Sequence, residues 1–298
     1  MSLLSISFSC LPLVTMSLTV VATLTGSHTG LALHDPRLSE PSAQSTLQPI
    51  PNPSSQPSHS ATLLAQGLSN RPQMNVSVPA IARQVTVRIL SNPGLGSGVI
   101  VKRQGQTYTV ITCAHVVADS QDNRYTVLTA DGRMHQGQWL RSAQFPDADL
   151  ALVQFTSNQA YRVAALADSN DLAIGDPVYA SGFPNWQSIN SNAIEETRDW
   201  GTRAFRLTSG KVAMLPEKSL KEGYQLGYTN EIESGMSGGS VLDQYGRLIG
   251  INGRLKYPPQ GLVSFIFADG SVPSKELFQQ MEALSWALPT VTFRQALR

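Results

Sequence analysis

From Ile81 onward, short β-prone runs recur at close intervals between turn signals, and that rhythm limits the fold more than any other feature of the chain. Val85, Val87 and Ile89 repeat with period two, as do Tyr108, Val110 and Thr112, so each set falls on one face of a strand. Similar runs occupy 97–103, 125–129, 150–155, 177–180, 203–208, 224–228, 247–251 and 262–267. Asn92-Pro93-Gly94, Asp131-Gly132, Tyr245-Gly246 and Pro258-Pro259 separate them with residues that reverse the chain. The one good helical stretch lies late, at 274–284. No repeat with a fixed period of about 20–50 residues is visible. Many short strands with a single late helix predict an all-β domain built as barrels or a sandwich.

The chain before this region has a different character. Residues 3–25 carry no charge and are mostly Leu, Val, Ile, Phe, Ser and Thr, the composition of the apolar core of a secretory signal. Gly30-Leu31-Ala32 puts small residues where a cut after Ala32 needs them, so 1–32 is read as a signal peptide and the domain as exported, periplasmic or extracellular. The first Lys or Arg is Arg37, so the usual positive start is missing, and the alternative is an uncleaved anchor through residues 3–25. Only that alternative brings membrane contact. Between Asp35 and Pro79, eight of the chain's 18 prolines are mixed with Ser, Gln and Asn. Such a segment has too little apolar surface to offset its ordering entropy, so 33–80 is expected to be a disordered linker, with a propeptide as the alternative, and 81–298 the folded domain.

Composition removes several function classes. Lys+Arg (22) and Asp+Glu (21) nearly cancel, leaving a formal net charge of +1 and no field to hold nucleic acid or an anionic surface. No second apolar run reaches the roughly 18 residues of a membrane span, which excludes a polytopic membrane protein. Two cysteines cannot make a disulfide framework or a Cys-rich zinc site, and His28, His34 and His59 are scattered ahead of the domain, so no metal and no small-molecule cofactor is expected.

Three short strings carry chemistry. Thr112-Cys113-Ala114-His115 closes an apolar strand, Asp149-Leu150-Ala151-Leu152 opens another, and Gly235-Met236-Ser237-Gly238-Gly239-Ser240 precedes a third. A serine hydroxyl is almost never ionised at neutral pH. It needs an imidazole to take its proton, and the imidazole needs an acceptor on its other nitrogen to fix its tautomer. Each residue alone has a bland reading: a structural histidine, a turn aspartate, a flexible loop. Together and in this order they form a set. Gly235-Met236-Ser237-Gly238-Gly239 also fits the G-x-S-x-G elbow of α/β-hydrolases, but that fold needs a histidine after the serine, and none follows His135. An Asp-His-Ser order fails as well, because the only aspartate ahead of His115 is Asp35, in the linker. The order His, Asp, Ser remains.

With Gly96-Ser97-Gly98-Val99-Ile100-Val101 ahead of the first string, the sequence resembles the chymotrypsin-like (trypsin-like) serine peptidases, in particular compact bacterial members related to the HtrA/DegP group. The resemblance spans about 83–285 and implies two six-stranded antiparallel β-barrels, about 81–170 and 171–275, with a C-terminal helix at about 274–284. It implies a cleft between the barrels and polypeptide substrates. Carried over by residue, Ser237 is the nucleophile, His115 the general base and Asp149 its orienting carboxylate, with Asp147 as the alternative acid. The N–H groups of Gly235 and Ser237 would form the oxyanion hole. Met236 stands where animal trypsins have an aspartate that pairs with a trimmed N-terminus, so no such activation is expected. About fourteen residues follow the helix, too few for a PDZ domain. Glu231, six positions before Ser237, would fall near the base of the primary pocket and favour Lys or Arg side chains, or else be a solvated loop charge. The pocket wall would come from a strand over 261–268, where Ser264 could also bond Asp149. Phe265 and Phe267 are expected in the core. Cys113 is expected to be a buried packing residue and His135 to lie on the surface. The competing function is a non-catalytic protein-binding module on the same fold.

Overall fold

The computed structural model describes residues 76–118, 120, 124–141, 145–190 and 193–297. The predicted signal segment and most of the predicted linker lie outside the described residues. The last part of that linker does not. Val78–Val85 forms helix α1, with Ser77 as its extended N-cap residue and Pro79 in its first turn, where the missing N–H costs nothing. Ile81, Ala82 and Val85 are its buried residues. The period-two reading that began at Val85 is therefore corrected: Val85 ends a helix, and the strand begins one residue later.

Six strands follow: β1 (Thr86–Leu90), β2 (Leu95–Gln104), β3 (Thr107–Thr112), β4 (Tyr125–Leu128), β5 (Met134–Trp139) and β6 (Ala151–Thr156). A short helix, α2 (Ala114–Ala118), lies between β3 and β4. All neighbouring strands pair antiparallel, and the sheet closes in the order β1-β2-β3-β6-β5-β4. Val87, Ile89, Val99, Val110, Val127 and Val153 are fully buried in it. Each such side chain contributes roughly 1.5–3 kcal/mol by leaving water.

The second half begins with β7 (Pro177–Gly182), then the hairpin β8 (Trp186–Asn190) and β9 (Ala193–Glu196), then β10 (Arg206–Met214), β11 (Leu226–Tyr228), β12 (Ser240–Asp243) and β13 (Leu248–Arg254). Helix α3 (Lys275–Glu282) starts at Ser274, whose hydroxyl accepts the Leu277 N–H at 3.2 Å, and leads into β14 (Ser285–Pro289). The second barrel closes in the order β10-β11-β14-β13-β12-β7. Two closed six-stranded antiparallel barrels with a late helix are the expected architecture.

Three details correct the sequence reading. The second barrel does not end at 275: β14 pairs with both β11 and β13 after the helix. Its five residues are all buried, so it shows no alternation to betray it. The run at 262–267 is not a strand. Gly261–Phe265 is a 3-10 turn that exposes Leu262 and Val263 and buries Phe265. Strand β5 and the β8–β9 hairpin were not foreseen, because most of their side chains face solvent and carry no apolar pattern.

Polar contacts tie the barrels together. The hydroxyls of Thr86, Ser181 and Ser240 form a closed buried ring at 2.8–3.1 Å. Helix α1, although it precedes the first barrel, packs against β7 and β12 of the second, and Gly246 leaves the space that the Ile81 side chain occupies. Arg88 of β1 is fully buried and donates to the backbone oxygen and hydroxyl of Thr197, at 2.7 and 2.8 Å, beside the hairpin.

Candidate active site

His115 stands in the first turn of α2, immediately after β3 delivers the chain to the edge of the first barrel. Its backbone N–H donates to Asp149 Oδ1 at 3.0 Å, and its ring Nδ1 meets Asp149 Oδ2 at 2.6 Å. An ionised carboxylate can only accept, so Nδ1 carries the hydrogen and Nε2 is the nitrogen able to take a proton. The imidazole side chain is half exposed, whereas that of Asp149 is only 9% exposed. The Asp149 N–H donates to the carbonyl of Glu222 at 2.9 Å, and Oδ2 also accepts the hydroxyl of Tyr224 at 2.5 Å. Burial opposes ionisation of Asp149, but the hydrogen bonds and charge of His115 and the Tyr224 hydroxyl outweigh it and hold the carboxyl below its ordinary value. Asp147, the alternative acid, is exposed to solvent.

Ser237 comes from the second barrel, on the loop that leads into β12. Its hydroxyl donates to the Gly253 carbonyl at 3.3 Å, a long contact that is easily given up. The loop before it is a tight turn in which the Met236 N–H bonds the Glu233 carbonyl at 2.9 Å. Gly235 occupies the third position of that turn with φ 94°, a conformation that glycine adopts without penalty. A Cβ there would also lie 2.1 Å from Asn185 Oδ1.

The direction of the two amides follows from what holds their peptide planes. A trans peptide points its C=O and N–H in opposite directions. The Ser234 carbonyl accepts the Asn185 N–H at 2.7 Å, so the Gly235 N–H points away from Asn185. The Met236 carbonyl accepts the Gly239 N–H at 3.0 Å and Asn252 Nδ2 at 3.5 Å, which turns the Ser237 N–H away from them. Among the described residues neither amide has a protein acceptor. Ser97 of β2 locks the arrangement from the other barrel. Its N–H donates to the Ser237 carbonyl at 2.9 Å, and its Oγ donates to the Gly235 carbonyl and accepts the Phe183 N–H, both at 2.8 Å. Gly238 (φ 84°) permits this approach, since a Cβ would sit 2.1 Å from the Ser97 oxygen.

His115, Asp149 and Ser237 line one cavity of about 560 Å³. Leu255, Pro258, Pro259 and Val263 give it an apolar wall, and Ser264 lines it as well. Ser264 does not bond Asp149: that place belongs to Tyr224, and the Ser264 carbonyl instead accepts from Arg254. Glu231 is not a buried pocket base. Its side chain is 61% exposed, pairs with Lys256 Nζ at 2.8 Å, and is not part of the cavity lining. Glu233 is likewise matched, with Arg206. Met236 is fully buried in the second barrel's core. Phe265 is buried against Trp286 and Phe278, and Phe267 is partly buried against the same core. His135 is half-buried rather than on the surface, stacked on Phe155 and bonded to the Tyr161 hydroxyl at 2.8 Å.

Cys113, His115 and Asp149 bring a sulfur, a nitrogen and an oxygen within 4.8 Å of one another. Burial, reinforced by the charge of Asp149, pushes the Cys113 thiol well up, and its hydrogen goes to the Asn252 carbonyl at 3.2 Å. A thiol kept protonated is a poor metal ligand and a poor nucleophile.

The trypsin-like peptidase domain model matches residues 96–251, just over half of the chain. The chain belongs to that family. Residues Ser97 to Asn252, the core of the arrangement above, are thus almost all within the family's matched segment. The chain is also similar to the "Serine protease HtrA-like" proteins of Staphylococcus aureus strains USA300 and NCTC 8325 / PS 47. In each case 28% of 162 residues are identical, covering 54% of this chain and 20% of the relative. The chain therefore spans about a fifth of the length of the curated relatives it matches.

Four contributors were not foreseen from sequence. Ser97 lies in the Gly96–Val101 string that carries the family resemblance, but its bonds to Gly235 and Ser237 join residues 138 or more positions apart. Asn185, Asn252 and Tyr224 sit in ordinary polar or β-prone stretches with no local signal.

Proposed function

We propose that this chain is a serine endopeptidase that hydrolyses peptide bonds through an acyl-enzyme. The observation that carries the reading is the His115–Asp149 pair sharing one cavity with Ser237, beside two amides whose carbonyls are all held elsewhere. His115 Nε2 takes the Ser237 proton as Oγ bonds to the substrate carbonyl carbon, and Asp149 stabilises the imidazolium. The developing oxyanion is received by the N–H groups of Gly235 and Ser237, which are oriented before substrate arrives. The imidazolium then protonates the leaving amine, and water enters by the same route in reverse to free the acid and restore Ser237. The wall of Leu255, Pro258, Pro259 and Val263 gives an apolar side chain a surface, Glu231 is paired outside the lining, and the lining charges Arg254 and Glu222 are matched with each other. Met236, buried and uncharged, leaves no partner for a newly cut N-terminus, so the domain works without that trimming.

The test is the intact mass of the full chain after exposure to a fluorophosphonate, beside Ser237→Ala and His115→Ala. A single adduct that both substitutions abolish supports the reading. No adduct on the native chain rejects it and returns the non-catalytic binding module. We also propose export, on the apolar uncharged run at 3–25; a mature N-terminus at Leu33 supports it, and retention of Met1 in the membrane fraction favours a tether instead.

A further inference from the structure

Taking the proposed hydrolysis as the reaction, we infer that Tyr224 is a positioning residue for it: a buried phenol that shares the carboxylate oxygen on which His115 rests, and so fixes where that imidazole points. Asp149 Oδ2 receives both the His115 Nδ1 hydrogen, at 2.6 Å, and the Tyr224 hydroxyl, at 2.5 Å. With the His115 backbone N–H on Oδ1, three donors pin the carboxylate, and the phenol is the only one of the three that does not come from His115 itself.

The site is built around this ring. Tyr224 is 2% exposed, so its hydroxyl would be costly to bury without an acceptor. Gly253 makes the space: a Cβ at that position would lie 2.3 Å from Tyr224 Cε1 and 2.4 Å from its hydroxyl. This glycine has no positive φ to explain it, so the missing side chain is a matter of room. The same residue accepts the Ser237 hydroxyl. Arg254 lies over the ring, 4.4 Å from its centroid, and is itself held by Glu222 and the Ser264 carbonyl. The charged or titratable groups facing the phenol are thus Asp149, Cys113 and Arg254, with Glu222 behind Arg254. Burial first, then Cys113 and Asp149, push the phenol well up, so it remains a donor throughout the neutral range.

The bond also crosses between barrels. Asp149 lies two residues ahead of β6 in the first, and Tyr224 two residues ahead of β11 in the second, the barrel that carries Ser237. Together with the Asp149 N–H bond to the Glu222 carbonyl, it registers the acid–base pair against the nucleophile.

The experiment compares the full chain with Tyr224→Phe, which keeps the ring under Arg254 and removes one oxygen. Rates on a peptide substrate and with a fluorophosphonate are followed across pH, alongside Tm and the NMR titration of the His115 ring. The expected result is a fall of about tenfold in kcat with KM within about twofold, the pattern of a geometry lost in the reacting complex. With one donor fewer, Oδ2 holds the imidazolium more strongly, so the acid limb and the His115 titration both move up by about half a pH unit or more. Gly253→Ala, which displaces the ring while keeping its hydroxyl, moves both in the same direction. A lower Tm with kcat, acid limb and His115 titration unchanged in Tyr224→Phe would make the phenol merely structural and overturn the inference. If the native chain neither labels nor turns over, the proposed hydrolysis fails, and the His115 titration alone still decides whether Tyr224 sets the imidazole.

Discussion

Ser97 offers a sharp test of how the two amides are aimed. Ser97→Ala keeps the N–H that bonds the Ser237 carbonyl but removes the Oγ that joins the Gly235 carbonyl to the Phe183 N–H. Gly235 and Phe183 are both buried, and Ser97 itself has no exposed surface. An unsatisfied buried backbone group costs about 1–3 kcal/mol, so two cost about 2–6 kcal/mol unless the loop moves. If it moves, the 235–236 peptide rotates and drags the Gly235 Cα with it, so the Gly235 N–H, carried by the adjoining 234–235 peptide, is pulled from its aim; complete loss of one such donor is worth about 10²–10³ in kcat. Partial relaxation divides the penalty, and we expect a fall of tenfold to a hundredfold in fluorophosphonate labelling, about 1.4–2.7 kcal/mol, with a Tm lower by several degrees. Thr86→Val is the control, since it removes a hydroxyl from the buried ring in the same seam without touching the loop. It should lower Tm and leave labelling alone. If Ser97→Ala behaves like Thr86→Val, with labelling within about twofold, the claim that Ser97 aims the oxyanion amides is wrong.

Other outcomes follow from the same geometry. Asp149→Asn should reduce turnover by about 10⁴, because the wrong tautomer is favoured, while Asp147→Asn should change it by less than about twofold; comparable losses would show the acid to be misassigned. Because the folded-state pKa of Asp149 lies below its ordinary value, its contribution to stability is present above that ordinary value and disappears as pH falls through the folded one. The Tm difference between native and Asp149→Ala chains should therefore be constant from neutral pH to about 5 and shrink below about 4. Native Cys113 should resist thiol reagents until the protein unfolds, and Cys113→Ala should keep its fluorophosphonate adduct; loss of that adduct would revive a thiol role. Glu231→Gln should leave the ratio of cleavage after Lys or Arg to cleavage after Leu within about twofold, as expected for a solvated ion pair, whereas a large drop would put Glu231 back in the pocket.

His115, Asp149 and Ser237 are legible as a candidate set because the proposed proton transfer demands those residue types, and a single chain order survives elimination. The barrels were legible where strands have one or both faces buried, as in β2, β3 and β6. The misreadings have physical causes. Val78, Ile81, Ala82 and Val85 satisfy a helical spacing while Val85, Val87 and Ile89 satisfy a strand, so the boundary between α1 and β1 is ambiguous to periodicity. Leu262 to Phe267 has β-prone composition but only a local 3-10 turn in which to use it. Whether the carboxylate of Glu231 faced the cleft depended on Lys256, a partner that no spacing rule supplies. Ser97 and Tyr224 act on groups in the opposite barrel, and hydroxyls that reach across a fold leave no trace in their own neighbourhood.

The placement of β14 sets an order on biosynthesis. The strand fills the gap between β11 and β13, whose facing edges are otherwise unpaired. A ribosome delivers 226–228 and 248–254 well before 285–289, so the second barrel stays open while α3 is being made. Ser237 and its loop belong to that barrel, and Tyr224 stands at the edge of β11. A nascent chain can thus present Ser237 only as part of an unfinished cylinder, and the cleft becomes complete when the last strand is threaded into place. For the proposed hydrolysis, this strand order keeps the site incomplete until 285–289 has been made.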